Sequence, residues 1–410
     1  MDRRVKPKDG GDKIAIITAG RSRGAPADRL QLLAVCLLSF SIALSDTAPS
    51  ALRPSIEKRY NSSNGLTSLL FVANALGFII AAVMIDDLTH CFGRARTYLL
   101  CQLLVAVGHA TLACTPPLPA FVLAFFPMGF GASFSLALGN VFCGSLGTWA
   151  LGAMHGAYGA GAIVNPFLVA LTARTSWLRY YILTMGLALA AGVLAAYAFW
   201  NYEEDEELVN TADVDGSSSP RPAHVDLQGM LSAVSTRVVL MGAPFVLAYR
   251  IVEVSISGWG FSPATVASPP FNTGTIFWTG ITASRFLLCA AQRVDERRIV
   301  YGAVVAAAAF ELFTWLGPHV VSNVTSVAVV SLLLGPVYPC AAAILVSRMR
   351  KHERIGGIGV ISAFGSAGGA AAPFTIGLVG PAMLHPIAIG LFGVMASCWY
   401  GVPRKPKRAE

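Results

Sequence analysis

The sequence predicts an all-α polytopic membrane protein with twelve transmembrane helices in two six-helix halves, and three observations predict it. Hydrophobic residues fill 55% of the 410 positions and charged ones only 13%, at a mean hydropathy of +0.61, whereas soluble domains carry about 25% charged residues. Apolar runs follow one another at the length a helix needs to cross the hydrocarbon core, about 20 residues. The basic residues gather in every second loop.

Residues 1–29 are basic and polar, and their one apolar run, 14–19, is shorter than the apolar region of a secretory signal. They read as a cytosolic tail. The spans then fall at 30–50, 66–85, 97–115, 119–143, 149–172 and 178–200 in the first half, 30–200. A cytosolic linker, 201–232, carries the acidic run at 203–207 and the stretch SSSP at 217–220. The second half, 233–402, holds spans at 233–257, 271–289, 299–317, 325–346, 356–379 and 383–402, before a tail at 403–410.

The positive-inside rule tests this layout. With a cytosolic N-terminus, and span-end residues counted with their loops, the inside segments hold 23 Lys and Arg and the outside loops 5, leaving Arg250 and Arg285 deeper within spans. Both termini are therefore expected in the cytosol, with the plasma or vacuolar membrane as the home. Two N-x-[ST] sequons, at Asn61 and Asn323, fall in outside loops, as glycosylation requires. The net charge of +8 is a topology signal spread over six segments, which predicts a lipid bilayer and no nucleic acid as partner. The eight cysteines form no C-x-x-C pair and read as small packing residues.

Charges inside spans are the candidates for function, because a charge at bilayer depth costs about 2.5–3.5 kcal/mol and faces a bundle interior or a water path. Arg250 and Glu253, in the seventh span, are three apart and share a helical face. Asp46, in the first span, has no basic residue within a turn. In a parallel-repeat transporter these would be equivalent helices with the substrate site between them. Glu311 is a further mid-span acid. Asn74, Asn140, Tyr249 and Trp259 can bind a hydroxylated ring or simply fill the core. In the stretch 155–166, Gly156, Gly159 and Gly161 permit close helix approach. His155 and Tyr158 face either the cavity or a neighbouring helix, and Asn165 with Pro166 can loosen the ladder.

Several stretches carry a family resemblance: SDTAPSALRPSIEKRY (45–60), FPMGFGASFSLALGN (126–140), HGAYGAGAIVNP (155–166), VEVSISGW (252–259), ELFTW (311–315) and LLLGPVYP (332–339). The chain resembles major facilitator superfamily transporters over residues 30–400, and in detail the fungal members related to fucose permeases. The resemblance implies the superfamily fold, alternating access, a monomer, and a small organic substrate, sugar-like in the nearest branch. It also implies a gate between the second and third spans, where IDDLTHCFGRAR (85–96) supplies Asp86 or Asp87, Gly93, Arg94 and Arg96. That cluster either pairs helix ends in one gating state or only sets topology. Arg285 resembles the equivalent arginine of the second half; its alternative is snorkelling to the interface. The acid that this branch places four residues before Asn140 is Leu136 here. Asp46 and Glu253 are then the proton-carrying candidates.

Other energy sources and chemistries find no support. The chain has no Gly–Lys dipeptide and so no P-loop, no H-E-x-x-H and no G-x-S-x-G, and its cysteines and histidines do not cluster as metal ligands. No cofactor and no enzyme activity are expected. The expectation is a secondary active transporter coupled to protons, its direction open; a proton-antiport exporter of drugs or secondary metabolites uses the same architecture, and a transport-inactive sensor or scaffold is the alternative of another class.

Overall fold

The structure, a computed structural model, describes residues 26–61, 64–172, 177–202, 235–259, 273–291, 295–317, 320–350 and 353–404. The acidic run of the linker and most of both tails lie outside the described residues. In the first half run α1 (Pro26–Tyr60), α2 (Asn64–Ala113), α3 (Leu118–Leu123), α4 (Phe125–Leu146), α5 (Thr148–Thr172) and α6 (Trp177–Ala198). The second half follows with α7 (Arg237–Trp259), α8 (Thr273–Ala290), α9 (Glu296–Leu316), α10 (Val320–Leu334), α11 (Val337–Arg348), α12 (Arg354–Val379) and α13 (Leu384–Gly401).

Ten stretches among the described residues are long and apolar enough to cross a membrane. One of them, Leu69–Ala113, is 45 residues long, about 68 Å as a helix, or two crossings. Its two arms meet at Gly93, where φ is 72° and ψ 162°; a side chain at that φ would be strained, so glycine is what turns the chain back. The polar α8, with four threonines and Arg285 in Thr273–Ala290, supplies the remaining crossing. Together they make the twelve-helix layout.

Two spans are broken by proline. Pro127 has no N–H for the Leu123 carbonyl, and α3 ends there. The predicted span 325–346 begins earlier, at Val320, and is split where Pro336 follows Gly335. The backbone of Asn323 is therefore helical and not in a loop, since valines on both sides favour burial over a turn. Similarly, α1 continues to Tyr60, ten residues past the predicted end. Asn61 follows it, exposed and in the left-handed region with φ 47°.

Within the halves, α1 packs on α5 and α6, α2 on α4 and α6, α7 on α12 and α13, and α9 on α10, α11 and α13. Two main pairings join the halves: α5 with α8, and α2 with α12. Small residues shape the first of these. A Cβ on Gly156 would come 2.7 Å from the Phe286 ring, and one on Gly159 would strike Thr282. Lipid takes the outer faces, where Leu76, Ile79, Val107, Val193, Leu287 and Val305 are exposed. Water would not tolerate so large an apolar surface.

Candidate functional site: a polar cluster split between two halves

Asp46 lies near the middle of α1, facing α2 and α5. Its Oδ2 accepts the Tyr158 hydroxyl at 2.9 Å, and Oδ1 lies 3.5 Å from Asn74 Nδ2. A cavity lined by Ser45, Asp46, Leu70, Asn74, Val105 and Met128 opens beside it. Leu136, which replaces the expected acid, joins the small apolar group around Tyr158 and Trp278.

Across the interface stands the cluster of the second half. Glu253 is 1% exposed and binds two guanidinium groups. Arg250 Nη1 donates to Oε2 within the same helix, as the i,i+3 spacing predicts. Arg285 Nη2 donates to Oε1 at 3.2 Å from α8. The Tyr249 hydroxyl donates to the same Oε1 at 3.0 Å. Two guanidinium groups around one carboxyl compensate charge in this apolar setting, where an uncompensated buried charge costs several kcal/mol. The trio nevertheless retains one excess positive charge. Arg250, whose side chain is 23% exposed, projects it towards Asp46 and Tyr158, both within its electrostatic reach.

Arg285 does not snorkel to the interface. It is 3% exposed, and three further acceptors fix it: Tyr249 Oη at 3.1 Å, the Gly335 carbonyl at 3.3 Å and, from the other half, the His155 carbonyl at 3.2 Å. The stretch LLLGPVYP explains the second of these. Pro339 has no N–H, so the Gly335 carbonyl four residues back has no helical donor and is left for the guanidinium. The motif was legible in the sequence, but its partner was not. Tyr338, also missed, stacks its ring edge-on against His155 at 4.7 Å and lies 5.7 Å from the Tyr249 ring.

His155 resolves towards the neighbouring helix: Nε2 lies 3.0 Å from Asn140 Oδ1, and the ring is buried between α4 and Tyr338. Tyr158, one turn on, is the residue of that helix that reaches Asp46. Tyr249 is fully buried and acts through Glu253 rather than as an open cavity wall. Trp259 closes α7, and its side chain lies outside the described residues, as do those of residues 260–272.

The predicted gate residues gather at the basic end of the bundle. The Gly356 N–H, in the first turn of α12, donates to the Asp86 carboxylate across the interface. The free N–H groups of a helix start favour an anion there. A Cβ at Gly356 would collide with that carboxylate. Burial against α12 and the adjacent Asp87 push Asp86 up to about 6, against the pull of the Gly356 N–H, while one side of the group remains open to water. Arg94 lies over the Tyr202 ring at 4.8 Å and Arg96 over Trp200 at 6.0 Å. Thr148 Oγ1 adds a 2.7 Å bond to Glu296 Oε1 in the other half. This end is closed. Glu311, by contrast, is away from the interface, bonded to His385 Nδ1 at 2.8 Å between α9 and α13.

Two six-helix bundles with acid and arginine groups apposed across their shared interface, closed at one end by interdigitated helix ends, have the outline of a parallel-repeat membrane transporter. The sequence profile of the Major Facilitator Superfamily matches residues 35–373, and the chain belongs to that superfamily of transporters. A relative in Saccharomyces cerevisiae, Bypass of stop codon protein 6, is 26% identical over 409 residues, covering 91% of this chain and 80% of the yeast protein. Among solved structures, FucP in its outward conformation superposes with a TM-score of 0.70 at 14% identity, over 92% of this chain and all 100% of that one. The N162A form of the same protein, the E. coli fucose:proton symporter, gives 0.68 at 14% identity, over 91% and 98%. The proton:xylose symporter XylE gives 0.69 at 13% identity, over 92% and 95%. These likenesses are of fold.

Proposed function

We propose that the protein is a proton-coupled secondary transporter of a small hydroxylated organic solute, sugar-like in size and polarity. The observation that carries this is the apposition of Asp46 and Tyr158 with Arg250 and Glu253 across the interface of the halves. Such a site offers hydrogen-bond donors and acceptors on both sides of a solute, and carboxylates that can change protonation as water access changes. Asp46 is the better proton carrier of the two acids. It has one hydroxyl and one amide as partners, whereas Glu253 is committed to two arginines. Asn74, Asn140, Tyr158 and Arg250 are the solute-binding side chains in this reading, and Asp86, Gly93, Arg94 and Arg96 form the cytosolic gate. Both termini are cytosolic, residues 201–232 link the halves, and Asn61 is the glycosylation site. The names of the fold neighbours, a fucose and a xylose symporter, agree with a sugar-like solute.

Purified protein in liposomes, given an imposed pH gradient and labelled fucose or xylose in parallel with a whole-cell metabolite extract, tests the reading. Gradient-dependent accumulation of at least one solute is expected, lost in Asp46→Asn. Accumulation equal with and without the gradient, or a gradient response retained by Asp46→Asn, refutes it. Comparing solute content of cells with and without the protein then separates import from export.

A further inference from the structure

Inside the first half, away from the interface, His109 is 0% exposed on the second arm of α2. Its Nε2 lies 3.0 Å from Ser45 Oγ, on the residue next to Asp46. The Ser45 hydroxyl is itself engaged, donating to the Ser41 carbonyl at 3.2 Å. Ser45 Oγ must then accept, so Nε2 carries the proton and Nδ1 is the bare, basic nitrogen. Nδ1 has no hydrogen-bond partner, and neither has the hydroxyl of Tyr181 on α6, whose ring centre is 6.1 Å from the imidazole. A buried acceptor and a buried donor, each unsatisfied, thus sit on neighbouring side chains. Buried polar groups of this kind are satisfied by water. On the other side of Ser45, the cavity it shares with Asp46 has room for about one water molecule, at 10 Å³.

We propose that His109 is the proton-relay residue of the first half, passing a proton between the Tyr181 side and Asp46 by way of Ser45. This rests on the reading of Asp46 as the proton carrier. The step balances with a hydronium ion from solution as the proton donor. The hydronium proton binds Nδ1, leaving water on the Tyr181 side, as the Nε2 proton moves to Ser45 Oγ. The Ser45 hydroxyl proton, released from the Ser41 carbonyl, passes through the cavity to the Asp46 carboxylate. The imidazole ends neutral in its other tautomer, and Asp46 ends protonated. The groups that face His109 are Ser45 on α1 and Tyr181 on α6, with Asp46 beyond Ser45; among the described residues no charged group acts on the imidazole. The relay gives Asp46 a proton route separate from the solute site, which suits a half whose fourth span offers Leu136 in place of an acid.

The test follows the protonated-carboxyl infrared band of Asp46, identified by its loss in Asp46→Asn, after a pH jump on reconstituted full-length protein. His109→Gln keeps a polar amide near Ser45 but carries no proton, and Tyr181→Phe deletes a single oxygen. Both are expected to slow the rise of the band at least about tenfold, within the range of positioned acid–base groups, while its equilibrium midpoint stays in place. A purely structural role would move the midpoint or the melting temperature and leave the rate alone. Unchanged rates in both variants overturn the relay while leaving Asp46 as the carrier. Absence of any band sensitive to Asp46→Asn overturns the carrier reading, and the relay with it.

Discussion

Replacing Glu253 by Gln removes one negative charge from the midst of two guanidinium groups and leaves the shape of the side chain intact. The carboxylate is 1% exposed and Arg285 3%, so neither can turn to water when the partner is lost. Breaking such a buried pair costs about 3–5 kcal/mol. Arg250, with 23% of its side chain accessible, can rehydrate in part, and the amide oxygen introduced by Glu253→Gln can still accept from Tyr249, which brings the expected loss to about 3 kcal/mol. For a chain of this size that is a fall of about 3–4 °C in melting temperature. Thermal unfolding of detergent-purified protein measures it. The double variant Glu253→Gln with Arg250→Gln removes one surplus cation and should recover much of the loss, a coupling that a thermodynamic cycle isolates. If Glu253→Gln alone melts with the parent protein, the charge-compensated cluster described above is wrong.

Three further outcomes are expected. Gly159→Leu places carbon where Thr282 sits, an overpacking worth about 1–3 kcal/mol, and should push α5 from α8 and open the basic end; spin-label distances across that end check it, and unchanged distances refute it. Asp86 binds more protons in the closed conformation, where its pKa is about 6, than when solvated near 3.9, so acidification from pH 7 to 5 favours closure, through the same distances. The effect is modest because one face of the group is open to water, and Asp86→Asn should abolish it. Asn61→Gln should remove a glycosidase-sensitive gel shift in a eukaryotic host, leaving any residual shift to Asn323.

The sequence by itself determined the class and layout of this protein, because hydropathy is a local property: a run of apolar residues spans lipid wherever it is found, and basic loops orient it. The acids and arginines inside spans were legible for the same reason, as was the Arg250–Glu253 pairing, which is a matter of helical spacing alone. Tertiary structure decided the partners. The place of Arg285 near a span end says nothing of which way α8 faces; only the register of α8 against α5 and the broken tenth span brings it to Glu253 and the Gly335 carbonyl. His109 carried no local signal at all, since one neutral histidine among apolar residues is ordinary until the packing of α1, α2 and α6 sets it beside Ser45 and Tyr181. Helix existence is written residue by residue; helix rotation is written only in the sum of contacts, and the site depends on rotation.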